Sequence, residues 1–135
     1  MKLTLALSLI LAATAASSAL AAHLPDCTGD YAVIRTSTVK PGKLDEFRKA
    51  VRDNQAWYAS RGLPDRILFG QVAERDAQGA PTGAFSPNMV TTIHTNRPPN
   101  PPAHTEDDPQ WKAFVAEYEA SSDLTNAAAV CLTAP

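Results

Sequence analysis

The stretch 31–58 constrains the fold most, because its hydrophobic period changes from two residues to 3.6 across a single Pro-Gly step. Tyr31, Val33, Arg35, Ser37 and Val39 alternate with Ala32, Ile34, Thr36, Thr38 and Lys40. This β-branched run predicts a strand covered on both faces. Pro41 cannot donate to a ladder and Gly42 accepts a positive φ, so the chain turns there. From Leu44 onward, Leu44, Phe47, Val51 and Tyr58 share one helical face with Ala50 and Trp57 at its edge. Asp45, Glu46, Arg48, Lys49, Arg52 and Asp53 fall opposite, which predicts an amphipathic helix ended by Gly62 and Pro64.

Lys2, the apolar run 3–16 and the small residues Ala19-Leu20-Ala21 read as an export signal over residues 1–21. The run is short for a membrane span of roughly 20 residues and is interrupted by Thr4, Ser8 and Thr14. The expectation is therefore a secreted or periplasmic protein with one domain, residues 22–135, and no membrane association after cleavage. Of 12 basic and 14 acidic residues only Lys2 leaves with the signal, giving a net charge of −3. That balance argues against nucleic acid or an anionic membrane as partner.

Two cysteines remain, Cys27 and Cys131. In an oxidising compartment they are expected to bond, closing a loop of about 100 residues worth up to ~4.7 kcal/mol in the chain-entropy account. Two buried thiols or a bond between chains are the alternatives.

After the first helix, residues 66–74 return to extended character around Ile67, Phe69 and Val72. Residues 75–88 hold Gly79, Pro81, Gly83 and Pro87 and read as a long hairpin connection. A third strand over 89–95 alternates Val90, Thr92 and His94 with Met89, Thr91, Ile93 and Thr95. Pro98, Pro99, Pro101 and Pro102 predict a polyproline-like path over 96–104. A second helix starts at Pro109, capped by Asp107 or Asp108, with Trp111, Phe114, Val115 and Tyr118 in one stripe. A last strand is expected over 127–133. The order is strand, helix, strand, strand, helix, strand, the split plan of an α+β, ferredoxin-like βαββαβ fold with a four-stranded antiparallel sheet. In that plan the outer strands in sequence are neighbours, which would bring Cys27 to Cys131.

The strand 31–39, the Pro41-Gly42-Lys43 turn, Phe47, and Asp108-Pro109 followed by Trp111 and Phe114 resemble the dimeric α/β-barrel superfamily, antibiotic-biosynthesis-monooxygenase-like members in particular. The resemblance covers nearly all of residues 22–135. It implies a homodimer with two sheets face to face and a small apolar pocket between each sheet and its helices. The superfamily includes cofactor-independent oxygenases, haem enzymes, isomerases and proteins without known catalysis, so the fold leaves activity open. Some of its oxygenases use an Asn and a Trp in the pocket, and Asn54 and Trp57 lie one turn apart here.

Asn54 falls in the middle of the apolar stripe, where an amide must find partners or cost stability. It either holds a phenolic substrate, with Trp57 stacking on it, or satisfies a backbone group in a filled core. Arg35, on the face of Tyr31 and Val33, suits a carboxylate or oxyanion, or an ion pair across a dimer. His94 is the candidate general base beside Arg35, against a simple hydrogen-bonding role. Tyr58 and Tyr118 read as packing residues with a polar tip, Tyr58 as a further substrate contact.

No cofactor is expected. Neither predicted helix contains the histidine a haem member needs, and there is no Gly-rich phosphate loop. Three functions follow: a cofactor-free monooxygenase or isomerase on a small aromatic compound, a non-catalytic ligand-binding or structural dimer, and copper binding through an amino-terminal His23 with His94 or His104.

Overall fold

In a computed structural model, residues 26–98 and 107–133 are described. The expected signal segment, His23, His104 and most of the proline-rich path lie outside them. The elements are β1 (Asp30–Val39), α1 (Leu44–Ser60), β2 (Arg66–Arg75), β3 (Pro81–Arg97), α2 (Pro109–Ser121) and β4 (Ser122–Leu132). They form an α+β fold whose antiparallel sheet runs in the order β2-β3-β1-β4, compatible with a ferredoxin-like arrangement. No helix among the described residues is long and apolar enough to cross a membrane.

The turn between β1 and α1 forms as its residues dictate. Gly42 takes φ +73° and Lys43 N–H donates to the Lys40 carbonyl at 3.0 Å. The apolar stripe of α1 is buried through Phe47, Ala50, Val51, Trp57 and Tyr58. It packs with Val39, Val90, Ile67 and Phe69 of the sheet and with Tyr118 and Phe114 of α2. Both helices thus cover the sheet face that carries Val39, Val90 and His94. Asp108 caps α2, its carboxylate accepting from the backbone N–H groups of Gln110 and Trp111, with Pro109 at the first helical position.

No described helix covers the opposite face, whereas the sequence predicted β1 covered on both sides. Alternation puts Ile34, Thr36 and Thr38 there with Ile93 and Thr91, all half-buried, while Leu68 and Met89 are exposed.

Two strands are longer than the sequence reading. β3 starts at Pro81, so the expected connection is mostly a two-stranded ribbon. Only its second half, from Met89, also pairs with β1. Pro81 and Pro87 therefore sit where one side of the strand has no partner, and register shifts between Gln71 and Arg75 absorb the irregularity. The turn itself is short: Asp76 Oδ1 accepts from Gln78 and Ala80 N–H, and Gly79 takes φ +85°. β4 follows α2 without a loop, Val39 pairing with Ser122. Ser121 and Ser122 hydroxyls donate back to the Glu117 and Tyr118 carbonyls and end the helix.

β1 and β4 are antiparallel neighbours from Asp30↔Leu132 to Val39↔Ser122. Their ends are tied by the Cys27–Cys131 disulfide, with Cα atoms 5.7 Å apart. Gly29 is required there, since a Cβ would lie 1.9 Å from the Leu132 carbonyl oxygen.

Candidate functional site

Helical spacing brings Phe47, Asn54 and Tyr58 to one side of α1, facing the sheet. On the sheet, register places Arg35 opposite Thr92, and Val33 opposite His94, so Arg35 and His94 are diagonal neighbours on the helix-covered face. α2 adds Trp111, Phe114, Val115 and Tyr118. These surfaces do not close completely. They leave a cavity of about 230 Å³ between sheet and helices, with Ser37, Arg97 and Ser122 completing its polar wall. Its inner end is buried, and Arg35, Glu119 and Leu124 are the exposed lining residues.

Four of the residues singled out from the sequence, Asn54, Tyr58, His94 and Arg35, line this one cavity. Asn54 is 3% exposed, and its Oδ1 has no hydrogen-bond partner among the described residues. The Tyr118 hydroxyl is equally unpartnered. Burial pushes it up to about 12, opposed by the adjacent Asn54 side chain, which is within hydrogen-bonding influence of it without the geometry of a formed bond, and by the Arg35 cation. Two polar atoms held away from water without a well-formed hydrogen bond cost about 1–3 kcal/mol each unless a ligand supplies one.

A polar chain runs along the other wall. The Tyr58 hydroxyl lies 3.4 Å from His94 Nδ1, and Arg97 donates to the same hydroxyl at 3.4 Å. Arg97 in turn lies 3.9 Å from Asp65. His94 is 2% exposed. Burial, reinforced by the Arg35 and Arg97 cations, lowers it to about 4, so the imidazole is neutral at physiological pH. Burial also raises the Tyr58 phenol and the Asp65 carboxyl, with Arg97 opposing both shifts. The Arg35 guanidinium makes no ion pair or hydrogen bond among the described residues.

Trp57 is not among the lining residues. Its indole N–H donates to Asp108 Oδ2 at 2.8 Å, and the Arg61 guanidinium stacks 4.3 Å from its ring while pairing with the same carboxylate. The Trp57 hydrogen bond is the main cause that holds Asp108 below the usual carboxylate range. The tryptophan ties α1 to the start of α2. Arg97 and Asp65 went unrecognised in the sequence. Arg97 sits just before the proline-rich segment and Asp65 in a loop, and only the β3 register brings them to Tyr58. Among the described residues no group of three or more His, Cys, Asp or Glu is placed to hold a metal ion.

Comparison with protein-family models and with curated proteins finds no match to this sequence.

Proposed function

We propose that this chain is an exported protein of the dimeric α/β-barrel type whose cavity binds a small aromatic compound, and that the chemistry it suits is cofactor-independent monooxygenation or isomerisation. The observation that carries the reading is the Asn54 amide, buried, on the cavity wall and with its oxygen unpartnered among the described residues. An amide recruited only for packing would be bonded to backbone in a filled core.

The ring of the ligand lies among Phe47, Trp111 and Phe114, and its hydroxyl reaches Asn54 and Tyr118. His94, neutral and hydrogen-bonding distance from Tyr58, accepts the proton of that hydroxyl. The Arg97 cation, which acts on His94 and donates to the Tyr58 hydroxyl, favours the resulting oxyanion. In a monooxygenation the phenol supplies all the electrons: one oxygen atom enters the ring to give a quinone and the other leaves as water. Trp57 stays outside the cavity in this scheme and fastens the start of α2 through Asp108.

The non-catalytic reading is favoured by one specific feature, since a histidine at about 4 is a weak base and needs an anionic ligand beside it to become a better one. The open sheet face, with Leu68 and Met89 exposed, supports the homodimer. The disulfide supports export. Copper binding through His23 requires cleavage before that residue, which mass spectrometry of the secreted chain reads directly.

The test is a panel of small phenols added to the purified chain, followed by melting temperature and by oxygen consumption. A binder raises the melting temperature of the parent and not of Asn54→Leu, and turnover consumes oxygen only in the parent. A panel without any thermal shift removes the reading.

A further inference from the structure

We infer that the ligand of this cavity is an aromatic carboxylate, its ring held between the helices and the sheet and its anionic group paired with Arg35. The inference rests on the proposed ligand site and specifies what that site selects.

Arg35 carries the argument. It projects from the central strand β1 onto the helix-covered face, where a buried cation without a counter-charge is unfavourable. It stays exposed at the cavity wall instead. Its field reaches His94, Tyr58 and Tyr118, three lining groups carried by three different elements. Yet no carboxylate of the described chain pairs with it, although Arg48, Arg61 and Arg97 each have an acidic partner. A guanidinium presents a planar fork that matches a carboxylate bidentately, which a phenol oxygen does not exploit.

The charged and titratable groups on the lining are Arg35 from β1, His94 and Arg97 from β3, Tyr58 from α1, and Tyr118 and Glu119 from α2. Arg97 lies 3.9 Å from Asp65 and donates to the Tyr58 hydroxyl, whereas Arg35 has neither an acidic partner nor a side-chain hydrogen bond among the described residues, so it is the cation open to a ligand carboxylate. Glu119 is exposed on the opposing helix and opposes an anion on its own side, so it biases the carboxylate toward β1. Asn54 Oδ1, an acceptor, is not a partner for a carboxylate. It suits a ring hydroxyl or amine elsewhere on the ligand, so the two groups select for different polar substituents of one ring.

Isothermal titration of the secreted chain at neutral pH with 1-naphthoate and 1-naphthamide separates charge from shape. Naphthoate is expected to bind at least about tenfold more tightly, the range of one charge-assisted hydrogen bond. Arg35→Gln brings the two compounds to parity, Arg35→Lys keeps part of the preference, and Glu119→Gln increases it. Arg35 and Glu119 are both exposed, and neither side chain is hydrogen-bonded or ion-paired among the described residues, so these variants fold. Equal affinities in the parent chain, or a preference that survives Arg35→Gln, overturn the carboxylate assignment and leave the pocket intact. Failure of both compounds to bind removes the ligand site and this inference together.

Discussion

Tyr58 and His94 meet edge to face between α1 and β3, the phenol oxygen 3.4 Å from Nδ1 and the ring planes 87° apart. The contact buries a titratable ring in a wall that also carries two arginines, which is why the imidazole stays neutral. It also gives the cavity a polar side and leaves its apolar side to the aromatic residues of α2.

Titration of His94 makes stability depend on pH. Its folded value, about 4, lies below the ordinary 6.5, so the unfolded chain takes up a proton between those values that the folded chain refuses. Stability is complete above pH 6.5 and declines as pH falls toward 4, by about 3 kcal/mol. Asp65, raised by burial, acts in the opposite sense and is retained in His94→Gln. The urea midpoint of the parent therefore falls across this window more steeply than that of His94→Gln. Parallel curves would show that His94 does not titrate as described.

Asn54→Leu replaces an amide whose buried oxygen has no partner among the described residues with an apolar group of similar volume beside Phe47 and Tyr118. The expected outcome is a gain of about 1–2 kcal/mol in unfolding free energy, with loss of ligand-induced stabilisation. Chemical denaturation with and without ligand checks both. A loss of stability would mean that the amide has a structural partner.

Trp57→Phe keeps an aromatic ring against Trp111 and Phe114 and removes the donor to Asp108. A lower melting temperature, by roughly 4–8 °C, is expected with ligand affinity unchanged. A change in affinity without a change in melting temperature would return Trp57 to the ligand site.

Cys27 and Cys131 join chain ends 104 residues apart in sequence. Replacing both with serine frees that loop in the unfolded chain and lowers stability by about 2–4 kcal/mol. Denaturation midpoints measure it, and an unchanged midpoint would show that strand pairing alone holds β1 to β4.

Much of this was legible in the residues. The change of period at Pro41-Gly42 located β1 and α1, Asp108-Pro109 located the start of α2, and the element order placed Cys27 beside Cys131. The ribbon of β3 was hidden because Pro81, Pro87 and Gly83 signal a loop, and only an unpartnered flank makes proline harmless in a strand. The start of β4 was missed because Ser122 to Asn126 carries no apolar alternation, being paired to β1 but largely exposed. Asn54 was conspicuous as a polar residue in an apolar stripe, and Arg35 and His94 followed from strand alternation. Arg97 and Asp65 were not, since their meeting depends on how β3 passes the loop after α1. Trp57 shares the stripe's edge, and helical angle alone does not distinguish the cavity wall from the seam with α2.

The most direct measurement is the nuclear magnetic resonance spectrum of the Asn54 side-chain amide during titration with 1-naphthol. Occupation of the cavity predicts that the Asn54 NH₂ resonances and the His94 ring resonances shift together and saturate, while Phe85 at the exposed ribbon stays still. Saturating shifts confined to exposed residues such as Phe85 and Leu132, with Asn54 and His94 unmoved, would contradict a ligand site between the sheet and its helices.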